Sequence, residues 1–326
     1  MYKGQDPGFS LRNVRMFQKI DEKCYLSQTI TEQSQNNNRT MIYSIPNVTT
    51  TTILKRPSAH CKTPYVADIS INHIDYMAHT PALGCCGLSD KDSTVVVSKL
   101  DNDKTKTKCT YRVELALLQE RGRRITVGIN PKLAETIVHK TLQSNLFSFL
   151  QNYKHVEREK TYMNSRFDFA GVDANDIPFI MEVKNVPLAD YVDVAKSERV
   201  KYKGIERRRC YNEKIAYFPD GYRKNSTEVV SPRALKHIQE LETLKRTTNH
   251  RCIICFVVQR TDVMQFQPSN IDLTYKEYVR KAWCNGVEIY ALQYEWTETG
   301  ECHFIQDQLP VVLFDTYGPL LPQNHT

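Results

Sequence analysis

Ser165-Arg166-Phe167-Asp168-Phe169 and, one turn later, Met181-Glu182-Val183-Lys184-Asn185-Val186 form the stretch on which the reading of this chain turns. Side chains of a strand alternate between its two faces, so Glu182 and Lys184 project from the same side. If the preceding run pairs antiparallel with it, Arg166 and Asp168 share that side while Phe167 and Phe169 pack inward. Two carboxylates and a lysine then converge at the end of a hairpin. Two carboxylates completed by water offer hard oxygen ligands to Mg²⁺. The metal polarises a phosphodiester and lowers the pKa of a bound water. A lysine beside it orients that water or stabilises charge developing on the phosphate. The same spacing also describes an ordinary cross-strand Glu-Lys pair next to an unrelated aspartate. Spacing alone leaves both readings open.

Outward from this hairpin the pattern is that of an α/β domain over about 130–315. Asn130-Pro131 opens a helix, with asparagine as N-cap and proline in the first turn. Leu133, Ala134, Ile137, Val138, Thr141 and Leu142 recur at helical spacing as its buried face. Tyr162–Phe169 and Pro178–Val183 read as strands joined by the turn-rich Ala170–Ile177. A second capped helix begins at Ser231-Pro232, with Leu235, Ile238, Leu241 and Leu244 as its stripe. Cys252–Val258 reads as a strand, Tyr275–Cys284 as a helix, and Val287–Tyr294 and Pro310–Phe314 as strands.

Before residue 130 the chain reads differently. Tyr65–Asn72, Thr94–Leu100, Thr110–Leu118 and Arg124–Ile129 are short runs rich in Val, Ile, Tyr and Thr, which predicts a small sheet or barrel over 51–129. Residues 1–50 are polar and aperiodic, with the patch Gln33–Asn38, and are expected to be flexible. Residues 316–326 form a tail.

Composition narrows the function classes. The chain has 326 residues, 40% hydrophobic and 25% charged, as in ordinary globular proteins, which excludes wholesale disorder and disulfide scaffolds. No apolar run approaches the roughly 20 residues that span a bilayer. The N-terminal stretch lacks the apolar core of a secretory signal. A cytoplasmic or nuclear protein is therefore expected. Its ten scattered cysteines read as mostly reduced thiols. The net charge of +7 is a mild excess, compatible with nucleic acid but not diagnostic of it.

The residues that settle the choice are distributed. Ser165–Phe169, Met181–Val186, Ala216-Tyr217-Phe218-Pro219-Asp220, Arg233–Leu241, Phe256-Val257-Val258-Gln259-Arg260, Ile271-Asp272 with Tyr275, and Gly286-Val287-Glu288 resemble successive motifs of the sugar fermentation stimulation protein family. Ala78-His79-Thr80-Pro81 through Gly84, and Arg56-Pro57-Ser58 with Pro64–Asp68, extend the resemblance into the first half. The match covers about residues 50–315. It implies an OB-like N-terminal β-barrel followed by a mixed-sheet domain of the PD-(D/E)XK nuclease type, in proteins described as DNA-binding. Carried over position by position, it makes Asp168 and Glu182 the metal-binding carboxylates, for Mg²⁺ or Mn²⁺, and Lys184 the catalytic lysine. The function expected is a Mg²⁺-dependent nuclease-like phosphodiesterase acting on DNA. The alternative is a non-catalytic, regulatory DNA-binding protein that retains the nuclease fold.

Glu135 is a candidate third carboxylate, although its position also suits a solvated face with His139 or Lys132 as partner. Asp220 and Gln259 are secondary candidates without an assigned role. The segment after the lysine holds Lys201, Lys203, Arg207, Arg208 and Arg209 interleaved with tyrosines, a composition suited to phosphate contact and base stacking. With Arg166 these are the expected nucleic-acid contacts. Three glutamates dilute the segment. His79 with Cys85-Cys86 lacks the second ligand pair of a structural zinc site. Cys252 and Cys255 form a C-x-x-C on a strand, which sends the thiols to opposite faces.

Overall fold

Within the barrel segment, Val95, Val96 and Val97 are all fully buried, which an ordinary one-sided strand would not permit. The reason lies in where the two faces go. Val95 and Val97 fill the barrel interior with Ile53, Ile69 and Val113. Val96 points outward, with Leu115 and Leu117, into the core of the second sheet. The continuous apolar run is the signature of burial on both faces.

The structure, a computed structural model, describes residues 39–81, 87–101, 108–195, 197–219 and 229–314. The barrel is built from β2 (Val48–Lys55), β3 (Val66–Ile71), β4 (Ile74–His79), β5 (Thr94–Lys99) and β6 (Tyr111–Glu120). They lie in the order β4-β3-β2-β5-β6, and a parallel β4–β6 pairing closes the ring. β7 (Arg123–Gly128) pairs with β6 and leads into α1 (Pro131–Gln143). The Asn130 side chain accepts from the Lys132 amide at 3.1 Å and donates to buried Glu114 of β6 at 2.6 Å. One side chain thus caps the helix and ties it to the barrel.

The second sheet has seven strands, in the order β1-β16-β15-β13-β10-β9-β8. These are β1 (Thr40–Ser44), β8 (His155–Tyr162), β9 (Ser165–Val172), β10 (Pro178–Val186), β13 (Arg251–Val258), β15 (Glu288–Trp296) and β16 (Glu301–Gln306). β10, β13 and β15 are parallel and the flanking pairs antiparallel. One face packs on α1 through Phe169, Met181, Ile253 and Cys255. The other packs on α2 (Pro232–Thr247) and α3 (Leu273–Cys284) through Ile180, Ile254 and Phe256. A small sheet of β11 (Ala189–Asp190), β12 (Lys214–Phe218) and β14 (Val263–Pro268) adjoins it.

The six apolar-face residues read for α1 are all buried, and Cys252 and Cys255 do face opposite cores. Burial pushes both thiols up, Cys252 to about 12, so neither is a ready nucleophile. Two expectations need correction. Residues 40–44 of the supposed flexible segment form β1, an edge strand held by β16. Its polar composition reflects a strand only half covered. β8, with Glu157, Arg158, Glu159 and Lys160 in succession, carries too many charges to read as a strand and needs its neighbour to be one. Pro310–Phe314 is no strand but a single bridge, Val311 to Phe266. Cys61, Cys109, Cys252, Cys255, Cys284 and Cys302 are free and Cys210 is disulfide-bonded, so the described cysteines are mostly reduced thiols, as read. The patch 33–38, Cys85, Cys86, Asp220 and the tail 316–326 lie outside the described residues.

Candidate active site

The β9–β10 ladder ends at the pair Phe169–Met181, although both strands continue. Beyond that point they part. The Val183 amide, left without a strand partner, donates instead to Asp168 Oδ2 at 2.7 Å. Phe167 and Phe169 are both buried, but in opposite cores, so side-chain alternation breaks at Asp168. The break has a counterpart on β8. Arg158 and Lys160 pair with Phe169 and Phe167, and Glu159 between them takes φ 56°. A fork in the sheet, lined by carboxylates, is the result.

Glu182 is buried on the side facing α2. Its Oε1 accepts from Lys184 Nζ and from His237 Nδ1, both in short contacts, while Lys184 Nζ and His237 Nδ1 stand 3.4 Å apart. Its other oxygen, Oε2, is buried without a partner. Burial works to raise the Glu182 carboxyl, but Lys184 and His237 together outweigh it and hold the group below its ordinary value. Asp168 goes the other way. Burial, then the Glu182 charge, push it up to about 7, against the opposing Val183 amide and Lys184. Two neighbouring carboxylates thus have their pKa values driven apart, a hallmark of functional sites.

Glu135 reaches this pair electrostatically. Burial raises its carboxyl, with Glu159 and Glu182 adding to the effect and Arg158 opposing it. Its ion-pair partner is Arg158 of β8, at 3.8 Å, rather than His139 or Lys132. His139 instead stacks on Phe169, with ring centroids 5.8 Å apart. The expected solvated face is therefore a half-buried rim of the fork, because β8 covers it. Among the described residues no three His, Cys, Asp or Glu side chains stand close enough to enclose a metal by themselves. The candidate donor set is the Asp168–Glu182 pair. An unpartnered buried carboxylate oxygen beside a second carboxylate fits a hard cation that takes its remaining ligands from water and phosphate.

His237 was missed by the sequence reading. It lies at helical spacing from Ala234 and Leu241 on the buried stripe of α2, and that break of an apolar stripe was the available signal. Its ring packs on Phe167 at 5.6 Å. Removing it as His237→Leu leaves Lys184 alone to hold the Glu182 carboxylate. Divalent-cation affinity is then expected to fall about 10–100-fold, with partial recovery in His237→Gln, measured by calorimetric titration.

The other candidates go elsewhere. Gln259 is a structural joint: its Nε2 donates to Asn185 at 2.6 Å, its Oε1 accepts from Trp296 at 2.7 Å, and its carbonyl accepts from Gly128 at 3.0 Å. A Cβ on Gly128 would sit 2.2 Å from Gln259 Oε1, so only glycine lets the end of β7 approach the second sheet this closely. Arg166 is exposed and pairs with Glu159 at 3.3 Å, rather than joining Asp168. In the basic segment, Lys201 pairs with Glu198, Arg207 with Glu206 and Arg209 with Glu213. Lys203 and Arg208 have no ion-pair partner among the described residues.

Comparison with known proteins identifies the family and the fold. The family model of the sugar fermentation stimulation protein RE domain matches residues 132–300. The chain belongs to the sugar fermentation stimulation protein family. A homologue from Idiomarina loihiensis is 30% identical over 234 residues, 70% of this chain and 85% of the relative. One from Geotalea daltonii is 28% identical over 253 residues, 76% and 92% of the two chains. The Pyrococcus furiosus SfsA structure in complex with Ca²⁺ superposes with a TM-score of 0.63 at 18% identity, covering 84% of this chain and 99% of that one. That likeness is one of fold, a closed barrel followed by mixed α/β sheets, as expected of an OB-like domain before a nuclease-like one. Among the described residues no helix is long and apolar enough to cross a membrane.

Proposed function

We propose that this member of the sugar fermentation stimulation family binds DNA and hydrolyses phosphodiesters with a divalent cation, Mg²⁺ or Mn²⁺, at Asp168 and Glu182. The observation that carries the reading is the fork itself. Two carboxylates converge there, one held near neutrality at about 7 and the other with a buried, unpartnered oxygen. Converging carboxylates repel phosphate unless a cation intervenes. The Ca²⁺ in the archaeal relative's structure supports a divalent cation for this chain as well. When bound, the cation polarises the phosphodiester and activates a water.

The chain's own residues do the rest. Asp168 and Glu182 would hold the cation, and His237 and Lys184 fix the Glu182 carboxylate through Oε1, leaving Oε2 without a protein partner. On engaging the phosphate, Lys184 Nζ exchanges its contact with Glu182 for the developing charge. Glu135 at the rim accepts a proton or orders water. The exposed Arg166, Arg207 and Arg208 and the neighbouring Lys201, Lys203 and Arg209 supply sequence-independent phosphate contact.

Labelled single- and double-stranded DNA incubated with Mg²⁺, Mn²⁺ or chelator tests this. Metal-dependent cleavage by the parent, lost in Asp168→Ala, Glu182→Ala and Lys184→Ala with folding intact, is the expected result. Binding without cleavage under every metal would favour the second reading, a non-catalytic DNA-binding protein.

A further inference from the structure

We infer that the cavity between the end of the barrel and the basic segment is a second ligand site, which takes a phosphate monoester carried on an apolar or aromatic body, such as a nucleoside phosphate. The cavity measures about 790 Å³, within the range of small-molecule sites and far larger than an inorganic anion requires. It lies at the C-terminal ends of the parallel strands β10 and β13, where open α/β sheets form their crevices. Neither Asp168, Glu182 nor Lys184 lines it, and it does not depend on the metal reading.

Its floor holds buried Lys214 and Arg260. Lys214 Nζ donates to Glu120 in a short contact and to Asp262 at 2.5 Å. Arg260 donates from Nε and Nη2 to the two oxygens of Asp262, at 2.6 and 2.7 Å, and from Nη1 to the Pro187 carbonyl at 2.8 Å. An ammonium has three N–H bonds and a guanidinium five. One on Lys214 and two on Arg260 therefore have no protein oxygen acceptor, and Lys214 Nζ also stands 5.5 Å from the Tyr191 ring centroid. Phosphate oxygens are strong acceptors for cationic N–H groups that have no protein partner.

The rim points to the same ligand. Lys203 and Arg207, on the turns that wall the cavity, are exposed. Lys203 has no ion-pair partner among the described residues, and Arg207 reaches only its neighbour Glu206, at 3.9 Å. Leu88, Leu118 and Leu188 make the opposite walls apolar, and Tyr202 offers a ring beside them. Phosphate held by floor and rim leaves these surfaces for a base or a similar body.

The chemistry is shared by a free nucleotide and by the phosphorylated end of a strand, so the test has both arms. Full-length protein in chelator is titrated with a fluorescent AMP analogue, and separately with a short oligonucleotide bearing a 5′-phosphate or a 5′-hydroxyl. Phosphate-dependent binding of either probe is expected, weakened about tenfold or more in Lys203→Ala/Arg207→Ala and unchanged in Asp168→Asn. Binding of the AMP analogue alone identifies a small ligand, and binding of the phosphorylated strand alone identifies a strand end. The proposal is overturned if neither probe binds at millimolar concentration. It is equally overturned if the rim variant binds like the parent, or if Asp168→Asn abolishes binding.

Discussion

Asp168→Asn is expected to make the metal-free protein more stable above neutral pH while lowering its metal-dependent cleavage by about 10³-fold. Burial and the Glu182 charge lift the folded Asp168 from an ordinary 3.8 to about 7. A carboxyl with a raised folded pKa contributes most below its unfolded value, and that contribution is lost as pH rises through the folded value. Between about pH 4 and pH 7 the parent therefore loses stability at this site, by as much as about 4 kcal/mol at 1.36 kcal/mol per unit. Asparagine carries no charge to desolvate and still accepts from the Val183 amide. Urea unfolding of both proteins at pH 5 and pH 8, in chelator, should show the variant's advantage over the parent growing by about 3 kcal/mol from pH 5 to pH 8. Added Mn²⁺ should then stabilise the parent alone. A variant less stable than the parent at pH 8 would mean that Asp168 is a structural group.

The second large effect concerns the joint below the cavity. Arg260 and Asp262 are buried, and Asp262, despite its burial, is held down to about 2 by Arg260 and Lys214. Arg260→Met leaves Asp262 with Lys214 as its only cation and strands the Pro187 carbonyl. A cost of about 3–5 kcal/mol is expected, read as a lower urea midpoint at unchanged slope. Arg260→Met/Asp262→Leu should recover part of it, because the uncompensated charge is then gone. A loss below about 1 kcal/mol in the single variant would show that water reaches the site.

What was legible in the sequence follows from local physics. Helices α1 and α2 announced themselves by capping residues followed by apolar stripes, and β13 by an uninterrupted apolar run. Asp168, Glu182 and Lys184 stood out because strand alternation and family motifs agree on them. β8, with four charges in eight residues, is made a strand by its partner and not by its composition, and without it neither Arg166–Glu159 nor Arg158–Glu135 could be foreseen. Likewise, spacing puts Asp168 on one face of a regular hairpin, whereas the ladder opens at that residue and the aspartate itself takes up the freed amide. His237 is separated from Glu182 by 55 residues, so only the packing of α2 on the sheet reveals the pair. The basic segment read as a nucleic-acid surface is partly neutralised by its own glutamates. Its remaining cations wall a cavity whose opposite side belongs to the barrel.

Calorimetric titration with Mn²⁺ at pH 7 tests the carboxylate fork most directly. The parent is predicted to bind with release of a fraction of a proton, since Asp168 is partly protonated there and must ionise to coordinate. Asp168→Asn and Glu182→Gln are predicted to lose that binding. Mn²⁺ binding of equal affinity in the parent and in both variants would contradict the assignment of a cation to Asp168 and Glu182.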